Sequence, residues 1–483
     1  MSVSAVSISP RLRRGIALCA VVLATGGLVL YRAPAAAFPG DSSFLRTPTV
    51  LANGKNSAAF AGPGAHGMVS LSHSRVLSGT ETAVFADVRV VADADRRAGE
   101  QKRAPISLAV VLDTSGSMGG EKIEEARRSV LRLLGEMRDD DEIAVVRYSD
   151  GSELIQPLVR VGNVRESLAT RIRQLEAGGG TNIPSGMSAG LRALDESARG
   201  RVRRIVLVSD GLDSTRAQAE NLARSSFVSG ITVSSLGIGL DFDESYMGSL
   251  AQNGHGNFAF VKDGASLAKF LHRELEETAG TTIENTRVRL QLPDGVRFLA
   301  ATGADAVVHG SEVELMIGSL FAGDERRVIV ELAANTLLSS TMDIDTQASW
   351  SPVGGGAMTV VRAPRLSLLA TSDASQVEGG QDGAVLASAT SVVASRRQVE
   401  ASNAYAQGNV TLAAQITENN ERDLARARAA APAAAATSLD SQMRAYGEMK
   451  KGFRTVAPTS AAGKAAAKEN AVKDMGNFGR STF

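Results

Sequence analysis

The stretch ISLAVVLDTSGSMGG, Ile106 to Gly120, decides how this chain folds. Its first seven residues are apolar apart from Ser107, as expected of a strand covered by helices on both faces. The run then breaks into hydroxyls, glycines and a single acid. A chain leaving a strand in extended form sends alternate side chains to one side, so Asp113, Ser115 and Ser117 can converge on one point. Beyond them Ile123, Ala126, Val130 and Leu133 recur at helical spacing, which predicts an amphipathic helix.

Moving outward, the runs EIAVVRY, RIVLVS and TVSSLGIG read as further strands, separated by helices with apolar stripes such as Val164, Leu168, Ile172 and Leu175. Strands alternating with helices predict an α/β fold with a doubly wound parallel sheet. In that architecture ligands bind at the carboxyl ends of the strands. Three polar loops fall there: DTSGS after Leu112, GGGTN at 178–182 and SDG at 209–211. Thr181 and Asp210 would complete an all-oxygen set with Asp113, Ser115 and Ser117. Such hard donors suit Mg2+ or Mn2+, and Ca2+ less well because it takes more oxygens and more charge. Neutral hydroxyls leave the ion under-neutralised, with an appetite for an external carboxylate. Each residue also has a purely structural reading: a turn capping the next helix for Ser115 and Ser117, a cap near Pro184 for Thr181, an ordinary turn for Asp210 and Gly211. Asp213 reads as a surface loop, Asp241 and Asp243 as a helix-start loop, and His255 as a solvated turn.

Asp113-Thr114-Ser115-Gly116-Ser117, then Thr181, then Ser209-Asp210-Gly211, in this order on this pattern, resembles the von Willebrand factor A domain over residues 105–280. EIAVVRYSD and GHGNFAFVKDGASLAKFL (254–271) are similar to that family's strands and closing helix. The resemblance implies a Rossmann-like domain with a metal-ion-dependent adhesion site, in which Asp113, Ser115, Ser117, Thr181 and Asp210 bind a divalent cation, generally Mg2+. A partner protein's Asp or Glu would complete the coordination. The implied function is capture of a protein partner. A periplasmic, membrane-anchored assembly or chaperone-like accessory factor for a membrane complex or an ATPase partner is the alternative, and a metal-dependent hydrolase is a third reading.

Enzyme motifs are missing from the sequence. The five histidines (His66, His73, His255, His272, His309) form no H-E-x-x-H, and neither a phosphate-binding G-x-x-x-x-G-K-[ST] nor a G-x-S-x-G elbow occurs. D-T-S-G superficially matches an aspartic-protease loop, but Ser115 stands where that motif continues differently and the α/β context is wrong. A bound metal alone would lack a general base. With 52 basic and 52 acidic side chains, no global field draws the chain to nucleic acid.

The N-terminus carries Arg11, Arg13 and Arg14, an uncharged apolar run over residues 15–31, and Ala35-Ala36-Ala37. This is an export pattern. Residues 1–37 are either a signal peptide cleaved after Ala37 or a retained membrane tether, so the remainder is expected outside the cytoplasm: periplasmic, at the cell surface or secreted. The only cysteine, Cys19, lies in that segment and leaves no disulfide for the rest.

The remaining chain flanks the A-type segment. Residues 38–104 combine a linker with Val-rich strands, and 281–367 returns to strands; the first set is too short for a stable sheet, so the two are expected to pair as a β-sandwich into which the α/β domain is inserted. Residues 384–455 read as a helical arm, a hairpin turning at Gly408-Asn409 with Val392, Val399, Ala406, Leu412, Ile416 and Leu424 inward. Residues 456–483, with lysines among small residues, read as disordered. Oligomeric state is not legible.

Overall fold

The computed structural model describes residues 56–94, 104–197, 200–210, 214–238, 242–261, 264–335 and 340–478. Cys19, the apolar segment 15–31, Gly211, Asp213 and Asp241 lie outside them. Among the described residues no helix is long and apolar enough to cross a membrane.

Four strands come first: β1 (Ser57–Gly62), β2 (Ala65–Leu71), β3 (Arg75–Leu77) and β4 (Thr82–Ala92). The α/β domain follows with β5 (Ile106–Asp113), α1 (Glu121–Glu136), β6 (Glu142–Tyr148), β7 (Ser152–Arg160), α2 (Arg165–Arg173), α3 (Ile183–Asp195), β8 (Val202–Ser209), α4 (Arg216–Val228), β9 (Ile231–Ile238), α5 (Glu244–Asn253), β10 (His255–Val261) and α6 (Gly264–Ala279). Its sheet runs β10-β9-β8-β5-β6-β7. All pairings are parallel except β6 with β7, which are antiparallel. The turn joining those two strands is too short for a crossover, so β7 doubles back as an antiparallel edge; Ser149 donates its N–H to the Gly151 carbonyl at 2.8 Å within it.

Every residue of β5 is buried, and its side chains sort by period two. Leu108, Val110 and Leu112 share a core with Val130, Leu133 and Phe270 of α1 and α6. Ala109 and Val111 share another with Met187 and Ala193 of α3 and Tyr246 of α5. The doubly wound architecture follows directly: one apolar strand needs a helical layer on each face.

Eight strands follow: β11 (Thr281–Gln291), β12 (Val296–Thr302), β13 (Asp305–His309), β14 (Glu312–Phe321), β15 (Glu325–Ala334), β16 (Thr341–Pro352), β17 (Thr359–Arg362) and β18 (Leu366–Thr371). They join the first four in two sheets, β1-β2-β4-β15-β12 and β13-β14-β11-β16-β18-β3. Val88 of β4 lies opposite Val328 of β15, so strands from before and after the α/β domain share one sheet. Both sheets contribute to one core, including Val69, Val88 and Val328 from the first and Val288, Leu315 and Trp350 from the second. Both junctions of the insertion are tied to the β14–β15 turn. Ala92 exchanges hydrogen bonds with Gly323 and Asp324 at 3.1 and 2.9 Å, and Ala322 donates to the Gly280 carbonyl at 3.0 Å.

The chain ends in helices: α7 (Ala374–Gly379), α8 (Gly383–Ala406), α9 (Val410–Ala430), α10 (Ala433–Thr455) and α11 (Ala461–Phe478). Three expectations are corrected here. The tail read as disordered forms α11 across residues 461–478, with Ala467, Ala471 and Val472 buried; alanine carries a strong helix propensity and these small residues pack closely, which composition alone hides. In the hairpin, Leu412 and Ala406 face solvent, and Ala413, Thr417, Asn420 and Leu424 face inward. The inward stripe is partly polar: Gln398 donates to Thr417 and receives a bond from Asn420, both at 3.0 Å. His255 is not a solvated turn. It opens β10 with φ +53°, is buried, and stacks on Phe227 with ring centroids 3.7 Å apart.

Candidate functional site

Register brings the polar loops together. Leu112 of β5 pairs with Val208 of β8, and Asp113 pairs with Tyr148 of β6. Asp113, Tyr148, Ser209 and Asp210 therefore emerge side by side at the carboxyl edge, because parallel strands end level when their registers match.

Asp113 and Asp210 are 0% and 1% exposed. One Asp113 oxygen accepts the Ser115 N–H at 2.8 Å. The other accepts the Ser209 hydroxyl at 2.7 Å and the Tyr148 hydroxyl at 3.2 Å. The Ser115 and Ser117 hydroxyls lie 3.0 Å apart, and Ser117 donates to Asp210 Oδ1 at 2.7 Å. Lys122, in the first turn of α1, donates to Asp210 Oδ2 and to the Ser117 carbonyl, the latter at 3.2 Å.

Burial pushes the Asp113 carboxyl above its ordinary range, and the Asp210 charge adds to this, while hydrogen bonds from Ser115 and Ser209 oppose it. Burial, reinforced by the Asp113 charge, holds the Tyr148 hydroxyl well above its ordinary value. Tyr148 is thus a fixed proton donor to Asp113.

The Gly178–Thr181 loop is pinned beside this group. Gly178 donates to the Thr114 carbonyl at 2.7 Å and Gly116 to the Gly179 carbonyl at 2.9 Å. Gly179 has φ +85° and a Cβ there would meet Asp150 Oδ2 at 2.6 Å, so only glycine passes this point. Asp150 Oδ1 in turn accepts the Gly180 N–H at 3.0 Å.

Of the five residues singled out in the sequence, Asp113, Ser115, Ser117 and Asp210 form one hydrogen-bonded group. Thr181 sits half-buried on the adjoining loop, outside that group. The structural readings fare differently. Asn182, not Thr181, caps α3, accepting the Ser185 N–H, and Ser115 makes no side-chain cap bond. Asp243 does cap α5, accepting the Tyr246 N–H. Sequence reading places Ser209 within the SDG loop without assigning it a role, and does not single out Tyr148 or Lys122. Tyr148 and Ser209 close strand runs whose carboxyl ends face the ligand site in this architecture, which is the available signal; Lys122 has none beyond its nearness to the loop.

Comparison with known proteins agrees with this fold. The von Willebrand factor type A domain profile matches residues 107–273. This segment is a von Willebrand factor type A domain. An uncharacterized Synechocystis protein, sll0103, is 24% identical over 265 residues, which covers 52% of this chain and 62% of that protein. Inter-alpha-trypsin inhibitor heavy chain H3 of Mesocricetus auratus is 25% identical over 199 residues, 38% of this chain and 22% of its own length. The chain thus spans less than two thirds of either relative. A solved von Willebrand factor type A structure from Catenulispora acidiphila superposes with a TM-score of 0.65 at 18% identity, covering 87% of this chain and 97% of that one. That likeness extends the shared fold beyond the A domain to the sandwich and helices. A domains commonly mediate protein–protein interaction, typically bind a divalent metal, and are generally not enzymes.

Proposed function

We propose that the A domain captures a protein partner by placing a divalent cation, Mg2+ or Mn2+, between its own oxygens and an Asp or Glu of that partner. The observation that carries this reading is the pairing of two almost fully buried carboxylates, Asp113 and Asp210. Among the described residues a single ammonium, Lys122, reaches them. A buried pair of like charges is costly unless compensated, and the deficit suits a dication. The donors are hydroxyl and carboxylate oxygens, a set for a hard ion. Among the described residues no group of three or more His, Cys, Asp or Glu offers an alternative centre.

Asp113 and Asp210 would supply charge, and Ser115, Ser117 and Thr181 neutral oxygens. The ion would supply an electrophilic position for an incoming carboxylate. Tyr148 and Ser209 hold Asp113 in one orientation, so that less freedom is lost when the ion enters. We read the protein as a binding module without catalysis, since among the described residues no side chain beside the carboxylates is placed as a general base. The basic and apolar N-terminus supports a location outside the cytoplasm, anchored if residues 15–31 are retained.

The test is Mn2+ binding by electron paramagnetic resonance on the full chain, followed by addition of acetate as carboxylate probe. Wild type should bind one Mn2+ per chain, and the bound ion should broaden the acetate methyl resonance. Asp113→Ala should do neither. Equal binding by both proteins would place the metal elsewhere and end this reading.

A further inference from the structure

Lys122 has a geometry that a surface helix lysine does not need. Its ammonium donates to Asp210 Oδ2 and to the Ser117 carbonyl. Asp210 Oδ1 is already taken by the Ser117 hydroxyl at 2.7 Å. Both oxygens of this buried carboxylate are therefore engaged, and a cation drawn to their remaining lone pairs comes close against the donors already there, one of which is an ammonium. The Ser117 hydroxyl is itself one of the oxygens the metal would use. Lys122 is the donor able to leave, because its side chain is 29% exposed against 0% for that of Asp210 and its four-carbon stem can swing the ammonium into water.

Charge leads to the same conclusion. A dication and an ammonium held against one carboxylate repel each other, and the ammonium offsets only one charge of the Asp113–Asp210 pair whereas a dication offsets both. We propose that Lys122 is a built-in counter-cation which an entering divalent ion displaces from Asp210, so that the site exchanges its own ammonium for metal. This rests on the metal-binding reading above and adds its regulation. The lysine sets a threshold: it keeps Asp210 compensated when metal is scarce, and it lowers apparent metal affinity through competition. Because Lys122 also holds the Ser117 carbonyl, its departure loosens the loop that carries Ser115 and Ser117 as the ion arrives.

The experiment compares full-length wild type with Lys122→Met, which keeps the aliphatic stem, and with Lys122→Gln, which keeps a donor without the charge. Mn2+ affinity is read by electron paramagnetic resonance. Acetylation of Lys122 in wild type is followed by mass spectrometry as Mn2+ is added. Exchange predicts that both variants bind Mn2+ about tenfold more tightly, the size of an ordinary coupling between two sites, and that Mn2+ raises the acetylation of Lys122 in wild type. Wild type binding Mn2+ while both variants bind equally or more weakly would overturn the proposal and leave the metal site standing. Tighter binding with unchanged acetylation would also overturn it, since the lysine would then merely repel the ion from its original place. No Mn2+ binding by any of the three would overturn this proposal and the metal-binding reading together.

Discussion

At the scale of single residues, the site depends on how closely α3 approaches the sheet. Gly186 and Gly190 lie one turn apart on its buried face; a Cβ at Gly186 would meet Tyr148 Cδ1 at 2.7 Å, and one at Gly190 would meet Val111 Cγ2 at 2.7 Å. Tyr148 is the residue that donates to Asp113. Gly186→Ala should therefore destabilise the protein by about 1–3 kcal/mol through overpacking, and urea unfolding will measure it; an unchanged midpoint would mean that the Tyr148 ring yields freely. Alternation made Asp113, Ser115 and Ser117 legible as a converging group, because that needs only the local geometry of an extended chain. What Lys122, Tyr148 and Ser209 do at the site is not legible there. Their roles come from partners 88, 35 and 96 residues away in sequence, which only the register of three strands brings close.

Among the elements, α11 departs furthest from what its composition suggests. Its Lys468 ammonium lies 4.2 Å from the Phe242 ring centroid and donates to the Phe242 carbonyl at 2.6 Å. Phe242 shares a core with Tyr246 of α5 in the A domain. Four residues before its end, the same helix buries Asp474 against α10. Tyr446 donates to Asp474 Oδ1 at 2.8 Å, and among the described residues Asp474 Oδ2 has no hydrogen-bond partner. Burial pushes Asp474 up to about 7, against hydrogen bonds from Tyr446 and Ser395 and the charge of Lys473. The folded protein thus holds a proton that the unfolded chain releases near pH 4. Stability is greatest below that value, falls as pH rises toward about 7, and levels off above it. The difference between pH 5 and pH 8 should be on the order of a few kcal/mol, and Asp474→Asn should remove that part of the slope. Urea midpoints at the two pH values decide it; identical pH dependence in both proteins would contradict the assignment. A lysine-and-alanine tail reads as disorder because hydrophobicity scales do not register an ammonium seated on a ring or a carboxyl buried in neutral form.

For the whole molecule, the sequence made the α/β domain legible and left the flanks partly so. The A domain announces itself through apolar strands, spaced helices and polar loops at strand ends. The sandwich was legible as two sets of Val-rich runs, since neither set can close a sheet alone. Their joint sheet order depends on long-range pairing such as β4 with β15, which alternation does not encode. The helices were legible in outline but not in how they attach. Ser388 of α8 donates to Asp87 of β4 at 3.0 Å, and Asp87 also meets Arg89 at 2.8 Å and Arg327 at 3.7 Å. Burial raises the Asp87 carboxyl, but the two guanidiniums outweigh it and hold the group below its ordinary value. A buried knot of this kind fixes the sheet and α8 in one arrangement, yet in the sequence its members are isolated charges on strands.

Metal binding by Asp113 and its neighbours underlies the proposed partner capture. Its most direct test is thermal unfolding of the full chain with EDTA and then with Mg2+, for the native protein and for Asp113→Ala. At a hundredfold excess over its dissociation constant, bound Mg2+ should stabilise the native protein by about 2.7 kcal/mol. The midpoint should rise in the native protein and stay fixed in Asp113→Ala. An equal rise in both, or none in the native protein at millimolar Mg2+ or Mn2+, would contradict the account.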